Sequence, residues 1–142
     1  MNWRSFWVRA SLAVIAGVIL LSVLALLLET NPPVKQEPAW DSPQTRALAQ
    51  RACFDCHSNE TVWNVNTRLP VGSWLAVFDT VRGRRELNFS EWTANSRRAR
   101  EAGEQIKEGA MPPAIYILMH PNAALSAAEK QQLITGLQNS LK

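Results

Sequence analysis

The sequence is poor in the residue types that build most catalytic and metal-binding sites. Its 142 residues contain two cysteines, two histidines and one tyrosine. The cysteines, Cys53 and Cys56, are too close together to staple a small secreted fold through a long loop. A large excess of one charge is also missing. The formal net charge is +3, and Arg4 and Arg9 lie in the first nine residues, so residues 29–142 hold 13 basic against 12 acidic side chains. That balance excludes the basic stripe by which proteins neutralise nucleic-acid phosphates. No run of like charge is long enough to be an interaction tail. Strand-like alternation is nowhere sustained, and there is no internal repeat or low-complexity tract.

What is present begins with an apolar run. Residues 10–28, from Ala10 to Leu28, carry no charge between Arg9 and Glu29. As a helix this run spans roughly 28 Å, close to the hydrocarbon thickness of a bilayer. Trp3, Phe6 and Trp7 precede it, where aromatic rings anchor at a membrane interface. Arg4 and Arg9 at its start place residues 1–9 in the cytoplasm as a short head and the rest of the chain across the membrane. A cleaved signal peptide is the alternative. However, the run exceeds an ordinary signal core, and Leu26 to Leu28 continue through the small-residue site at Val23 and Ala25. The expectation is an uncleaved single-pass anchor in a bacterial inner membrane, in contact with the lipid bilayer.

Residues 29–41 are polar and carry three prolines, which reads as a semi-extended linker lifting a domain off the membrane. Residues 42–142 read as an all-α domain of four helices. Ser42 caps the first, with Pro43 at its first position, running to about Cys53. The second runs from about Val71 to Arg82, with Trp74, Val77, Phe78 and Val81 at helical spacing and Gly83 as terminator. The third runs from Glu91 or Ala94 to Glu108, stopped by Gly109, with Ala99, Ala102 and Ile106 on one side. The fourth opens on the capping box Ser126–Glu129 and carries Leu133, Ile134, Leu137 and Leu141 on one face. Core packing is the expected use of these stripes. They are thin, and a domain of this size is marginal without help at its centre. Six tryptophans suit either ordinary packing or a domain wrapped around something large and flat.

Residues 53–57 read Cys-Phe-Asp-Cys-His, the c-type haem attachment pattern. Two thiols three residues apart on a turn that ends a helix can each add to one vinyl group of a haem, and the adjacent His57 then sits beneath the iron as an axial ligand. One covalent haem c is therefore expected. The pattern uses both cysteines of the chain and lies on the outer side of the predicted span. Three alternatives compete. A zinc site needs further soft or imidazole ligands, and only His120 remains. A thioredoxin-like redox pair needs a βαβ context. The third is a simple disulfide. For the sixth iron position the candidates are Met111, Met119 and His120. Met111 follows a helix stop and precedes two prolines that hold the chain extended. Met119 lies in the apolar run 115–119, where core filler is the plainer reading. His120 can offer a second imidazole, bond a haem propionate or cap a turn. Arg68, Arg84 and Arg85 are either propionate partners or solvated surface charges.

These blocks resemble the bacterial haem-binding domain proteins, small cytochrome c-like domains often preceded by a membrane segment. The resemblance rests on Cys53-Phe-Asp-Cys-His-Ser-Asn-Glu-Thr61 with Trp63, then Pro70-Val-Gly-Ser-Trp-Leu75 and Gly83-Arg-Arg-Glu-Leu-Asn-Phe-Ser-Glu-Trp92. It continues through Gly109-Ala-Met-Pro-Pro113, His120-Pro121 and the helix after Leu125-Ser126. The chain departs from the family after Trp63, where members are more aromatic and proline-bearing than Asn64-Val-Asn-Thr67. The resemblance implies a cytochrome c-like fold with haem c on Cys53, Cys56 and His57, and the methionine before the paired prolines, Met111, as distal ligand. Residues 87–92 hold no ligand and read as a loop packing Phe89 and Trp92 against the haem or the core.

Three function classes remain. Single-electron transfer between membrane or periplasmic redox proteins needs only a six-coordinate haem on a tether. A gas or redox sensor needs an open or weak sixth position and a partner to carry the signal. A peroxidase-like enzyme needs acid–base groups beside an open position, and only one histidine is spare, so no enzymatic activity is expected.

Overall fold

The computed structural model describes residues 3–70, 72–93 and 96–140. Every regular element among them is helical, apart from one isolated bridge pairing Gln36 with Glu91. The order is α1 Trp3–Leu28, α2 Pro43–Ala52, α3 Phe54–His57, α4 Gly72–Glu86, α5 Ser96–Lys107, α6 Ala114–Met119 and α7 Ala127–Asn139. Single 3₁₀ turns span Val65–Arg68 and Pro121–Ala123. The fold is all-α, as its patterning predicts. Val71, Ala94 and Leu141, together with the side chain of Ala99, lie outside the described residues.

The caps form where the local chemistry requires them. The Ser42 hydroxyl accepts from the Thr45 amide at 3.1 Å, and Pro43 opens α2. At α7 the box closes both ways: the Glu129 amide donates to Ser126 Oγ at 3.3 Å, and the Ser126 amide donates to Glu129 Oε2 at 2.8 Å. α5 ends on Gly109 at φ +75°, with the Gly109 amide on the Ile106 carbonyl and the Ala110 amide on Gln105, a Schellman turn.

Glu129 also receives Arg51 from α2 at 2.6 Å. The Ser126 amide, the Arg51 guanidinium and the Ser126 hydroxyl together hold its carboxyl down from 4.5 to about 2. Its folded pKa lies below the unfolded one, so its contribution to stability is complete above about pH 4.5 and is lost as pH falls toward 2. Glu129→Gln is expected to flatten that part of the acid limb in thermal melts followed across this window. An unchanged limb would remove the cap from the acid response.

The core lies between α2, α5, α7 and the chain around residues 87–92. Leu48, Ile106, Leu133 and Leu137 are buried in it. α2 crosses α7 where Gly136 meets Thr45, at a spacing with no room for a Cβ. In this core three rings surround Phe89: Trp40 lies tilted against it at 5.4 Å, and Phe54 and Trp92 stack on it at 5.6 and 5.9 Å between centroids. Phe89 and Trp92 therefore pack in the core, one of the two places the sequence allows them.

Residues 29–41 are extended but bound along the domain. The Lys35 and Gln36 amides donate to the Ser90 carbonyl, and the Trp92 amide donates to Gln36. Arg46 grips Glu37 through two bonds of 2.8 and 2.7 Å. Arg84 donates to the carbonyls of Ser58 and Thr30 and to the side chains of Asn31 and Thr61. The segment is extended, as its prolines predict, and it forms a strap whose backbone groups find partners on the domain.

α4 differs from its predicted form in two ways. It runs through Gly83 to Glu86, and Gly83 is buried in mid-helix. Of its predicted apolar stripe, Val77 is buried, whereas Phe78 and Val81 are exposed and line a groove against the C-terminal end of α1. α1 extends from Trp3 to Leu28, long and apolar enough to cross a membrane once, with Ala25 its buried residue.

Candidate functional site

α3 is one turn long, and both ends are fixed by its neighbours. Cys53 ends α2, with its amide on the Ala49 carbonyl at 2.8 Å, and also opens α3, accepting from the His57 amide at 2.9 Å. The two residues between the cysteines divide the anchoring. Phe54 is buried in the ring stack, with the Arg46 guanidinium 5.3 Å above it. Asp55 faces the other way: its carboxylate accepts from the Val62 amide at 2.9 Å and from the Tyr116 hydroxyl at 2.7 Å. The motif is thus pinned to the core on one side and to α6 on the other.

α4 supports α3 from behind. A Cβ added at Gly83 would fall on the Cys56 carbonyl, so the helices meet backbone to backbone. This contact positions Leu87, just past the end of α4, whose carbonyl lies 3.0 Å from His57 Nδ1. That carbonyl can only accept, so Nδ1 carries the proton, and Nε2 is the nitrogen with a lone pair to donate. The Phe89 amide closes the arrangement on the His57 carbonyl at 2.8 Å. Burial lowers the His57 pKa, which keeps the imidazole neutral.

The two thiols are half-buried and form no disulfide with each other. Burial, with a contribution from Cys56, pushes Cys53 up to about 12. Burial, with Asp79 and Asp55, pushes Cys56 up to about 11. A disulfide-exchange centre is favoured by a thiol shifted downward and by a βαβ setting; both thiols shift the other way, and among the described residues the motif is flanked by helices. Among the described residues no group of three or more His, Cys, Asp or Glu side chains converges to hold a metal ion unaided.

The remaining predicted residues are spread around this centre. Met111 lies on the loop after the Schellman turn, 36% exposed, with its amide on the Gln105 carbonyl. His120 has both ring nitrogens engaged, with Nε2 3.3 Å from Asn64 Nδ2 and Nδ1 3.3 Å from the Tyr116 carbonyl, and it stacks on Tyr116 at 4.4 Å. Met119 is exposed, so core filler is not its role. Of the three arginines, Arg84 is committed to the strap, Arg68 lies 3.9 Å from Glu29, and Arg85 is exposed. Sequence reasoning missed Gly83, Leu87, Asp55 and Tyr116. Gly83 had a signal, an isolated glycine inside a helical pattern. Leu87 had none, because it acts through its backbone.

A family profile described as a haem-binding domain matches residues 17–139. No curated protein and no solved structure matches significantly. The profile takes in the C-terminal half of α1, the strap, the Cys-Phe-Asp-Cys-His turn and every later helix, and on that evidence the chain belongs to the haem-binding domain family.

Proposed function

We propose that this protein is a membrane-anchored monohaem c-type cytochrome that transfers single electrons in the periplasm. The observation that carries the reading is the His57 Nδ1–Leu87 carbonyl bond beside two free thiols, Cys53 at the cap of α3 and Cys56 within it. The donor set suits haem c. Cys53 and Cys56 are the thioether positions, His57 Nε2 is the proximal ligand, and the porphyrin itself supplies the other iron ligands that the chain lacks. When bound, the haem supplies a one-electron iron couple. The protein's own groups do the rest. Leu87 orients the imidazole and raises its basicity, as outer-shell partners of ligating histidines do. Phe54 and Gly83 hold the turn against movement of α3. α1 has the character of a single membrane anchor, and the basic residues at its start support a haem domain outside the cytoplasm.

Met111 is the proposed distal ligand. Its thioether is accessible, and it stands on a loop fixed at its root by Gly109, while His120 is held by Asn64 and Tyr116. Met111→Ala is expected to lower the midpoint potential by on the order of 100 mV, within the ~0.8 V over which axial ligands set haem potentials. It is also expected to open the iron to exogenous ligands. Potential and ligand binding equal to wild type would move the assignment to His120. The function is tested by the spectrum of the reduced full chain under carbon monoxide. Resistance to the gas supports a carrier, and ready uptake supports a sensing module that needs a partner.

A further inference from the structure

The exposed face of α4 has no role in the haem site. Leu75 is 57% exposed, Phe78 59% and Val81 50%, on a helix whose buried side already packs on α3. Arg82 and Arg85 follow on the same side, one and two turns beyond Phe78. This face borders a groove of about 610 Å³ whose other wall is α1, through Leu21, Leu24 and Leu28.

The depth of that wall identifies what fills the groove. Leu21 lies seven residues before Leu28, roughly 10 Å along a helix. With α1 spanning and Leu28 at the outer boundary, a helix that touches Leu21 and Leu24 lies at the level of the outer leaflet. The strap prevents escape from that position: Arg84 ties Thr30 and Asn31 to the domain within three residues of the end of α1. A domain on a free tether could tumble away from the bilayer, and this one is bound at its root.

We propose that the outer face of α4 is an interfacial membrane-docking surface. Phospholipid acyl chains fill the groove between α1 and α4, and Arg82 and Arg85 stand at head-group level. Long basic side chains do this at interfaces by lying along apolar surface with their charge in the polar layer. Two acidic groups lie on this flank: Asp79, whose charge Arg82 is near enough to offset, and Glu86, which lines the groove beside Arg82 and Arg85. The proposal rests on the membrane-anchor reading of α1, and it holds the haem domain at a fixed height on the membrane.

The test uses the haem-loaded full chain in nanodiscs of phosphatidylethanolamine and phosphatidylglycerol. A photo-crosslinking residue is placed by Phe78→p-benzoylphenylalanine, and in separate samples at Val81, at Leu20 in α1, and at Gln132 on the exposed side of α7. Positions 78 and 81 are expected to form phospholipid adducts roughly tenfold above position 132 and comparable to position 20, as an apolar face buried in the acyl boundary requires. Adducts at 20 but only background at 78 and 81 would overturn the docking surface and leave the anchor standing. Crosslinks from 78 to a second copy of the chain instead of lipid would overturn it in favour of a dimer. Background at 20 as well would overturn both readings.

Discussion

Gly83→Val is expected to lower the melting temperature by more than about 10 °C and to remove most haem from the purified protein. A valine there places three carbons where even a single Cβ would overlap the Cys56 carbonyl and approach its carbon at 2.9 Å. The obstructing atoms are backbone, so no rotamer change relieves the clash. Overpacking costs roughly 1–3 kcal/mol where side chains can adjust, and a fixed backbone puts this substitution at or above the top of that range. For a domain of about 100 residues each kcal/mol is worth about 4–8 °C. Total stability is about 5–15 kcal/mol, so a large part of it is at risk. The lost contact also sets the position of Leu87, so His57 is misaligned in molecules that do fold. Gly83→Ala should be milder, since about 1 kcal/mol of helix propensity offsets part of the clash. Gly17→Val is the control, because a Cβ at Gly17 meets nothing. Differential scanning calorimetry with haem quantification decides the matter, and a Gly83→Val protein that melts like wild type would show that α3 and α4 do not meet as described.

His57→Ala is expected to abolish the low-spin spectrum in essentially all molecules, and added imidazole is expected to restore it. The substitution leaves Cys53 and Cys56 in place and opens a space beside the Leu87 carbonyl, where free imidazole can bond as the His57 ring does at 3.0 Å. Rescue by an exogenous ligand separates loss of a ligand from loss of fold. His120→Ala should leave the axial spectrum unchanged, because its ring bonds Asn64 and the Tyr116 carbonyl, and it should loosen α6 instead. The reverse pattern, a spectrum sensitive to His120 and indifferent to His57, would exchange their roles.

Features set by neighbouring residues were legible in the sequence. The caps at Ser42 and Ser126 and the stop at Gly109 each depend on atoms within a few residues, and all three form as read. α1 was legible because it has no polar face, although its helix starts at Trp3, before the apolar run. Errors arose where the deciding partner is distant. A glycine that ends a helix and a glycine that admits another backbone look alike, and Gly83 is the second kind because Cys56 lies against it. Periodicity placed Phe78 and Val81 on one face of a helix but could not say that the face looks toward α1 rather than the core. Met119, in an apolar run, looked like core filler, yet it is exposed at the end of α6, which is tied down through Tyr116. In the site, side-chain identity marked Cys53, Cys56 and His57. The group that orients the histidine is a main-chain carbonyl, which any residue at position 87 would supply.

Every role proposed for this site depends on covalent attachment of one haem at Cys53 and Cys56. The most direct measurement of that attachment is the intact mass of the full chain, denatured in acid after maturation in a host that assembles c-type cytochromes. The expected result is the polypeptide plus a single haem, reduced to the bare polypeptide by Cys53→Ala combined with Cys56→Ala. Wild-type protein at the bare polypeptide mass, with any haem extracted by the acid, would contradict the account.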